Sequence, residues 1–382
     1  MSGFLIAAMA CLHLGKRICE RSLLDDQRFL LDQVLQRIIQ KQVDAVLVAG
    51  DVYDRPAPPP DAVTLLDSFL TALEDAGVPC LLIPGNHDSD ERLAFGARLL
   101  GGAGVHLAPV FDGRLRTVTL ADQYGPVQFT LLPFLRPAQV RRFFPDVPPG
   151  DYEAAIRAVL GTVDTADGGR HVLLAHQFAT AAGAAPARCD SEMAPVGTLD
   201  NVDVSAFDGF DYVALGHIHG PQRVGRDTVR YAGSPLKFSF SEARHHKSAP
   251  LVTLGEKGDV RVELLPLTPM RDLREIRGRL DDLLDPASWA GTKTDDFMHI
   301  TLTDDAVMDA MNRVRAVYPN TLRLDFDNAL TALSGAPVMA REAVRRDPFA
   351  LFAEFYEQQN GEPLDEEMKT IVRGLLEGGE LL

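Results

Sequence analysis

Five short motifs along this chain carry side chains that bind divalent metals. They are Cys11-Leu12-His13, Gly50-Asp51-Val52-Tyr53-Asp54, Gly85-Asn86-His87-Asp88, Ala175-His176-Gln177 and Gly216-His217-Ile218-His219. Imidazoles and hard oxygen donors in this mixture suit a pair of divalent cations, and a two-ion site needs one carboxylate as a bridge. Asp51, directly after a glycine that permits a tight turn, is the natural bridge. Asn86 offers a neutral amide oxygen, and His13, His176, His217 and His219 offer imidazoles. His217 and His219 are two residues apart, so an extended backbone turns both the same way. His87 stands beside a ligand, where it can bind phosphate or protonate a leaving oxygen, and Asp88 can orient that imidazole. Each motif alone is weak; five in order point to metal-assisted phosphodiester hydrolysis.

These residues need strand ends to hold them. Residues 3–10, 44–49 and 80–83 are short apolar runs that read as buried strands, and each ends at a motif. Residues 23–39 carry Leu30, Val34 and Ile38 on one helical face. Parallel strands in this arrangement deliver His13, Asp51 and Asn86 together at their carboxyl ends, where open α/β sheets place ligands. Later strands at 127–132, 171–175, 212–215, 229–232, 251–254 and 260–265 have few long helices between them. They predict a second, largely antiparallel sheet packed on the first. After residue 265 the pattern changes to a small α/β unit over 266–326, with strands at 298–302 and 321–326 and a helix at 305–317. Residues 327–346 read as a linker. Asp347-Pro348 starts a helix bearing Phe349, Phe352, Phe355 and Tyr356, and Asn360-Gly361 ends it before a second apolar helix. Two short helices this apolar must dock on the protein's own body or on a partner.

The 382 residues suffice for a large domain and a smaller one, and the net charge of −16 argues against a protein that coats nucleic acid. A nuclease remains compatible, because bound ions restore positive potential locally. Four cysteines without CxxC spacing suit a reduced, cytoplasmic protein. The apolar start lacks the basic residues of a signal peptide and reads as a strand, and no run is long enough to span a membrane.

With its motifs in view, the chain resembles the calcineurin-like metallophosphoesterases, and among them the SbcD-type nuclease subunits of bacterial SbcCD complexes. The resemblance runs through Leu12-His13-Leu14-Gly15-Lys16, Pro84-Gly85-Asn86-His87-Asp88, Gly216 to Gln222, Tyr231-Ala232-Gly233-Ser234-Pro235-Leu236 and the tail at 352–356. It implies a four-layer α/β/β/α nuclease domain over 1–265, a DNA-capping domain over 266–326, and a helical pair over 347–382 that binds an SbcC-type ATPase. It also implies two manganese ions and cleavage of duplex ends, single strands and hairpins in DNA. Asp51 would bridge the ions, His13 and His219 would hold the first, and Asn86, His176 and His217 the second. His87 would be catalytic. Members form homodimers through helices that here fall near 61–76 and 90–100, and the first is apolar on two faces.

Position 11 departs from the pattern. The family has Asp-x-His, its Asp on the first metal, where this chain has Cys11-Leu12-His13. Thiolate suits zinc or iron and is a poor partner for manganese. The first site is therefore weakened, retuned to another metal, or lost while a DNA-end-binding scaffold role persists. A phosphoesterase for small nucleotides would leave the capping unit and helical tail without a role. Arg223, Arg226 and Lys237, close to the last motif, are candidate phosphate contacts or solvated surface.

Overall fold

The computed structural model describes residues 3–192, 201–305 and 307–327, with scattered positions between 349 and 372. Two six-stranded sheets make the frame. The first runs in the order Val260–Pro266, Ser248–Leu254, Phe4–Met9, Ala45–Ala49, Cys80–Ile83, Val105–Leu107. From Phe4–Met9 onward its neighbours are parallel, with Met9 opposite Val48 and Ala49 opposite Ile83. The three predicted strands thus end side by side.

The second sheet runs Gln222–Val224, Arg226–Tyr231, Tyr212–Gly216, Arg170–His176, Gly125–Leu132, Arg116–Asp122. It was expected to be largely antiparallel, yet its four inner strands are mutually parallel and only the two edge pairings are antiparallel. The crossover from Leu132 to Arg170 includes the helix Tyr152–Leu160, long enough to return the chain in the same direction.

Period-two alternation sorts the strand residues onto two faces. Val172 and Leu174 join Phe4, Ile6, Leu47, Leu81, Phe129, Tyr212 and Ala214 in a core between the sheets. Their neighbours Leu173 and Ala175 face outward with Val213, Leu215 and Tyr231, against Ala155, Ile156 and Val159 of the helix. On the first sheet the strands Ala45–Ala49 and Cys80–Ile83 are buried throughout, as sequences covered on both faces must be. The helices Leu24–Lys41 and Pro60–Asp75 each bury one stripe, Leu30/Leu31/Val34/Ile38 and Ala62/Leu65/Leu66/Phe69/Leu73. Burial contributes roughly 25 cal/mol per Å² of apolar surface, so the core between the sheets and the core outside the second sheet both stabilise the frame. The stretch expected as one helix near 90–100 is two short turns, Asp90–Leu93 and Ala97–Leu100, broken where Gly96 takes a φ of 75°.

The chain divides into two compact units. One holds Met1–Glu275 with Lys293–His299; the other holds Ile276–Thr292 and the chain from Ile300 onward. The helix predicted at 305–317 is shorter, Ala310–Arg315. The linker at 327–346 lies outside the described residues except Asp327, and most of the tail at 347–382 does too. In that tail Phe349, Phe352, Ala353, Tyr356 and Glu357 are helical, as are Glu366, Met368, Lys369 and Val372. Among the described residues, no helix is long and apolar enough to cross a membrane.

Candidate metal centre

All five motifs converge where strands of the two sheets end. The segment after Phe4–Met9 runs along the turn after Ala45–Ala49: Cys11 N donates to Gly50 O, His13 N to Asp51 O and Leu14 N to Val52 O, each at 2.9 Å. The second sheet meets the first through His176, whose Nδ1 lies 2.9 Å from Ala49 O. This approach requires glycine: a Cβ on Gly50, at φ +81°, would stand 2.2 Å from His176 Nδ1, and one on Gly216 would stand 1.8 Å from Ala49 O. Cys11, His13, Asp51 and His217 have φ of 51°, 44°, 51° and 96°. Left-handed backbone at four non-glycine residues of one site is strain of the kind functional centres hold.

The donor atoms face one another at short range. His13 Nε2 lies 3.1 Å from His219 Nε2 and 3.6 Å from Asp51 Oδ2. Asn86 Oδ1 lies 3.0 Å from His176 Nε2 and 3.1 Å from His217 Nδ1, and His176 Nε2 lies 3.3 Å from Asp51 Oδ2. Asp51 Oδ1 accepts the His87 N–H at 2.9 Å, so the other oxygen is left to face both histidine sets. Tautomers sharpen the picture. His176 must donate Nδ1–H to the Ala49 carbonyl, which leaves a lone pair on Nε2 aimed at two oxygen acceptors. Among the described residues, His13 Nδ1 and His217 Nε2 are buried without a hydrogen-bond partner. Lone pairs converging at these separations match the edges of a coordination shell with bonds of about 2.0–2.2 Å. The residues therefore fit divalent ions. Without an ion, burial opposes charge on His176, but the Asp51 carboxylate prevails and raises its pKa. Burial drives that of His217 down to about 3. Burial also resists ionisation of Asp51, yet His176 and His13 hold it well below the ordinary carboxylate range.

His219 is anchored at every polar atom except Nε2. Its N–H donates to Glu192 Oε1 at 2.7 Å, and its carbonyl accepts from Lys247 Nζ at 2.9 Å and Ser234 N at 3.1 Å. Its Nδ1 lies 2.7 Å from Ser191 Oγ, which donates to Glu242 Oε1 at 2.6 Å. Because that hydroxyl's proton goes to Glu242, its oxygen accepts from Nδ1–H and the Nε2 lone pair faces His13. Glu242 is fully buried and paired with Lys247 at 2.6 Å. Gln27, from the helix Leu24–Lys41, grips the carbonyls of Leu12 and His13 at 3.0 and 2.7 Å. Phe238 packs edgewise on both His13 and His219 and closes this side. Sequence reasoning missed Gln27, Ser191, Glu192, Glu242 and Lys247, which lie far from their targets along the chain and outside any motif.

His87 stands at the opening, its ring 4.8 Å from that of His13 and its Nδ1 3.0 Å from Asp54 O. Asp88 was expected to orient that ring; its oxygens instead accept the N–H groups of Val52, Tyr53 and Gly85 at 3.0, 2.9 and 2.8 Å. It ties the turn that carries Asp51 to the turn that carries Asn86. Its carboxyl pKa rises to about 6, from burial and the neighbouring Asp51 charge.

Cys11 is fully buried, with Ala10, Ala49 and Ala232 around it. Its Sγ accepts the His217 N–H at 3.2 Å. It belongs to two groups of potential ligands, one with His13 and His219 and one with Asp51 and His176. Burial, then the Asp51 charge, pushes its pKa up, so it is a neutral thiol when no ion is bound. Arg223, Arg226 and Lys237 are each held in ion pairs, with Asp227 at 2.8 Å, Asp208 at 3.0 Å and Asp272 at 2.9 Å. Arg226 also donates to the carbonyls of Phe207 and Phe210, and Lys237 to that of Ala243.

Residues 269–360 match the family described as type 5 capsule protein repressor C-terminal domain. Over 369 residues the chain is 27% identical to the SbcD subunit of the nuclease SbcCD from Staphylococcus epidermidis, covering 95% of this chain and 96% of that one. Solved structures similar to it include a dimetal phosphatase from Danio rerio, at 14% identity and a TM-score of 0.44, covering 70% of this chain and 99% of the other. Residues 4–221 match the calcineurin-like phosphoesterase family, more than half of the chain, and the chain belongs to that family.

Proposed function

We propose that this phosphoesterase is a DNA nuclease, the catalytic subunit of an SbcCD-like complex. The observation that carries the reading is Asp51 Oδ2 between two histidine sets, 3.6 Å from His13 and 3.3 Å from His176. His13, His219 and Asp51 would hold one ion, and Asp51, Asn86, His176 and His217 the other. Divalent ions there, manganese by resemblance, would supply Lewis-acid activation of a phosphodiester. His87, its Nδ1–H given to Asp54 O, would in its imidazolium form use Nε2–H to bind phosphate and deliver a proton to the leaving oxygen, leaving the neutral ring. The similarity to a nuclease subunit over nearly the whole length supports DNA as substrate, an SbcC-type ATPase as partner of 347–382, and a capping role for 266–326. Phe95 and Leu99, 86% and 85% exposed, with Val63 exposed on the helix Pro60–Asp75, support pairing of two copies through these turns.

The thiol at position 11 favours a second reading, a DNA-end-binding scaffold subunit with an impaired first site. Native protein and the Cys11→Asp variant are assayed with end-labelled duplex and hairpin DNA and manganese. Cleavage by the native chain supports the nuclease. Cleavage by the variant alone supports the scaffold, and cleavage by neither refutes the nuclease reading.

A further inference from the structure

The side of the centre formed by Asn86, His176 and His217 is bordered by two similar pairs. Phe134 lies two residues past the strand Gly125–Leu132, and Phe178 two residues past His176, the last residue of the adjacent parallel strand. Phe134 N donates to Pro84 O at 3.1 Å, which fixes it beside the Asn86 turn. Its ring centre is 6.3 Å from that of His176, and the ring of Phe178 is 6.3 Å from that of His217. Each phenyl is half-buried and carries an exposed arginine over its ring, Arg136 at 5.9 Å and Arg188 at 5.3 Å. Arg188 also pairs with Glu192 at 3.6 Å, which fixes where it reaches.

We propose that Phe134/Arg136 and Phe178/Arg188 form a nucleotide-reading rim that takes an unpaired base of the strand whose phosphodiester enters the centre. The proposal rests on the nucleic-acid reading above and specifies how that site recognises its substrate. Aromatic rings stack on bases of any sequence, and arginine adds both a stacking plane and a partner for phosphate. Local cations matter in a chain of net charge −16, and Arg136 and Arg188 place two guanidinium groups at this border. A base can reach a phenyl face only when it has left the duplex stack, so the rim selects strand ends and unpaired nucleotides.

The test needs no catalysis. Metal-free protein is titrated into DNA with 2-aminopurine at its unpaired terminal position, and into the same DNA with an abasic residue there. Native protein should quench the fluorophore and bind the base-bearing end more tightly. Phe134→Leu with Phe178→Leu keeps apolar volume but removes the aromatic faces. It should abolish the quench and weaken that binding about 5- to 150-fold, with binding of the abasic end unchanged. Arg136→Gln with Arg188→Gln should weaken both and flatten the salt dependence. Native protein that binds both ends equally without quenching overturns the rim while DNA remains a ligand. Native protein that binds neither overturns the DNA reading and the rim together. Matching thermal unfolding of the Leu variant and native protein assigns the loss to recognition; a variant that unfolds early is replaced by Phe→Met at the same two positions.

Discussion

Cys11→Asp is the perturbation whose energetics can be worked furthest. The new carboxylate would occupy a fully buried position, among three alanines and beside the ionised Asp51. Of the surrounding charges that act on Cys11, Lys247 is the favourable cation. An uncompensated buried charge destabilises by about 3–5 kcal/mol. A smaller opposing gain comes from the backbone, since φ at position 11 is 51° and aspartate tolerates that region better than cysteine. In chelator the variant should therefore be the less stable protein, by several degrees at roughly 2–4 °C per kcal/mol. An ion in the first site reverses the balance, and ligand at a thousand times its Kd stabilises by about 4 kcal/mol. Manganese should thus raise the variant's Tm far more than that of the native chain. Calorimetry with chelator and with manganese, beside elemental analysis of both proteins, checks this. Equal Tm values in chelator, or an equal rise on adding manganese, would refute the reasoning.

Three further outcomes follow from the geometry. Ser191→Ala removes the acceptor of the His219 Nδ1 proton and should weaken metal binding at the His13–His219 site by about 10- to 100-fold in calorimetric titration. Glu242→Ala strands the Lys247 ammonium in the interior and should destabilise by about 3–5 kcal/mol in urea unfolding. His87→Gln should lower kcat by about 10²- to 10⁴-fold with metal content unchanged, since its Nδ1 is engaged by the Asp54 carbonyl.

Much of the frame was legible because strands and helices advertise themselves by periodicity. Short fully apolar runs such as Cys80–Ile83 suit strands covered on both faces, and each ends at a motif, so the meeting of His13, Asp51 and Asn86 was readable. Strand direction in the second sheet was not, because direction depends on crossovers, and the crossover into Arg170–His176 passes through a helix of only nine residues. The Asp88 role was misread because adjacency in sequence suggested a partner for His87, while the carboxylate is turned toward three backbone N–H groups. The shell around His219 is invisible to any local pattern: Glu192 and Glu242 are ordinary acids in sequence and become anchors only once folding buries them.

The seam between Ala49 and His176 has a consequence for biosynthesis. His13 and His219 are 206 positions apart, and the donors between them come from both sheets. A nascent or truncated chain that stops before His219 lacks the full donor set, and one whose sheets have not docked cannot bring the Asn86 and His176 donors together. Assembly of the centre is thereby coupled to completion of the fold.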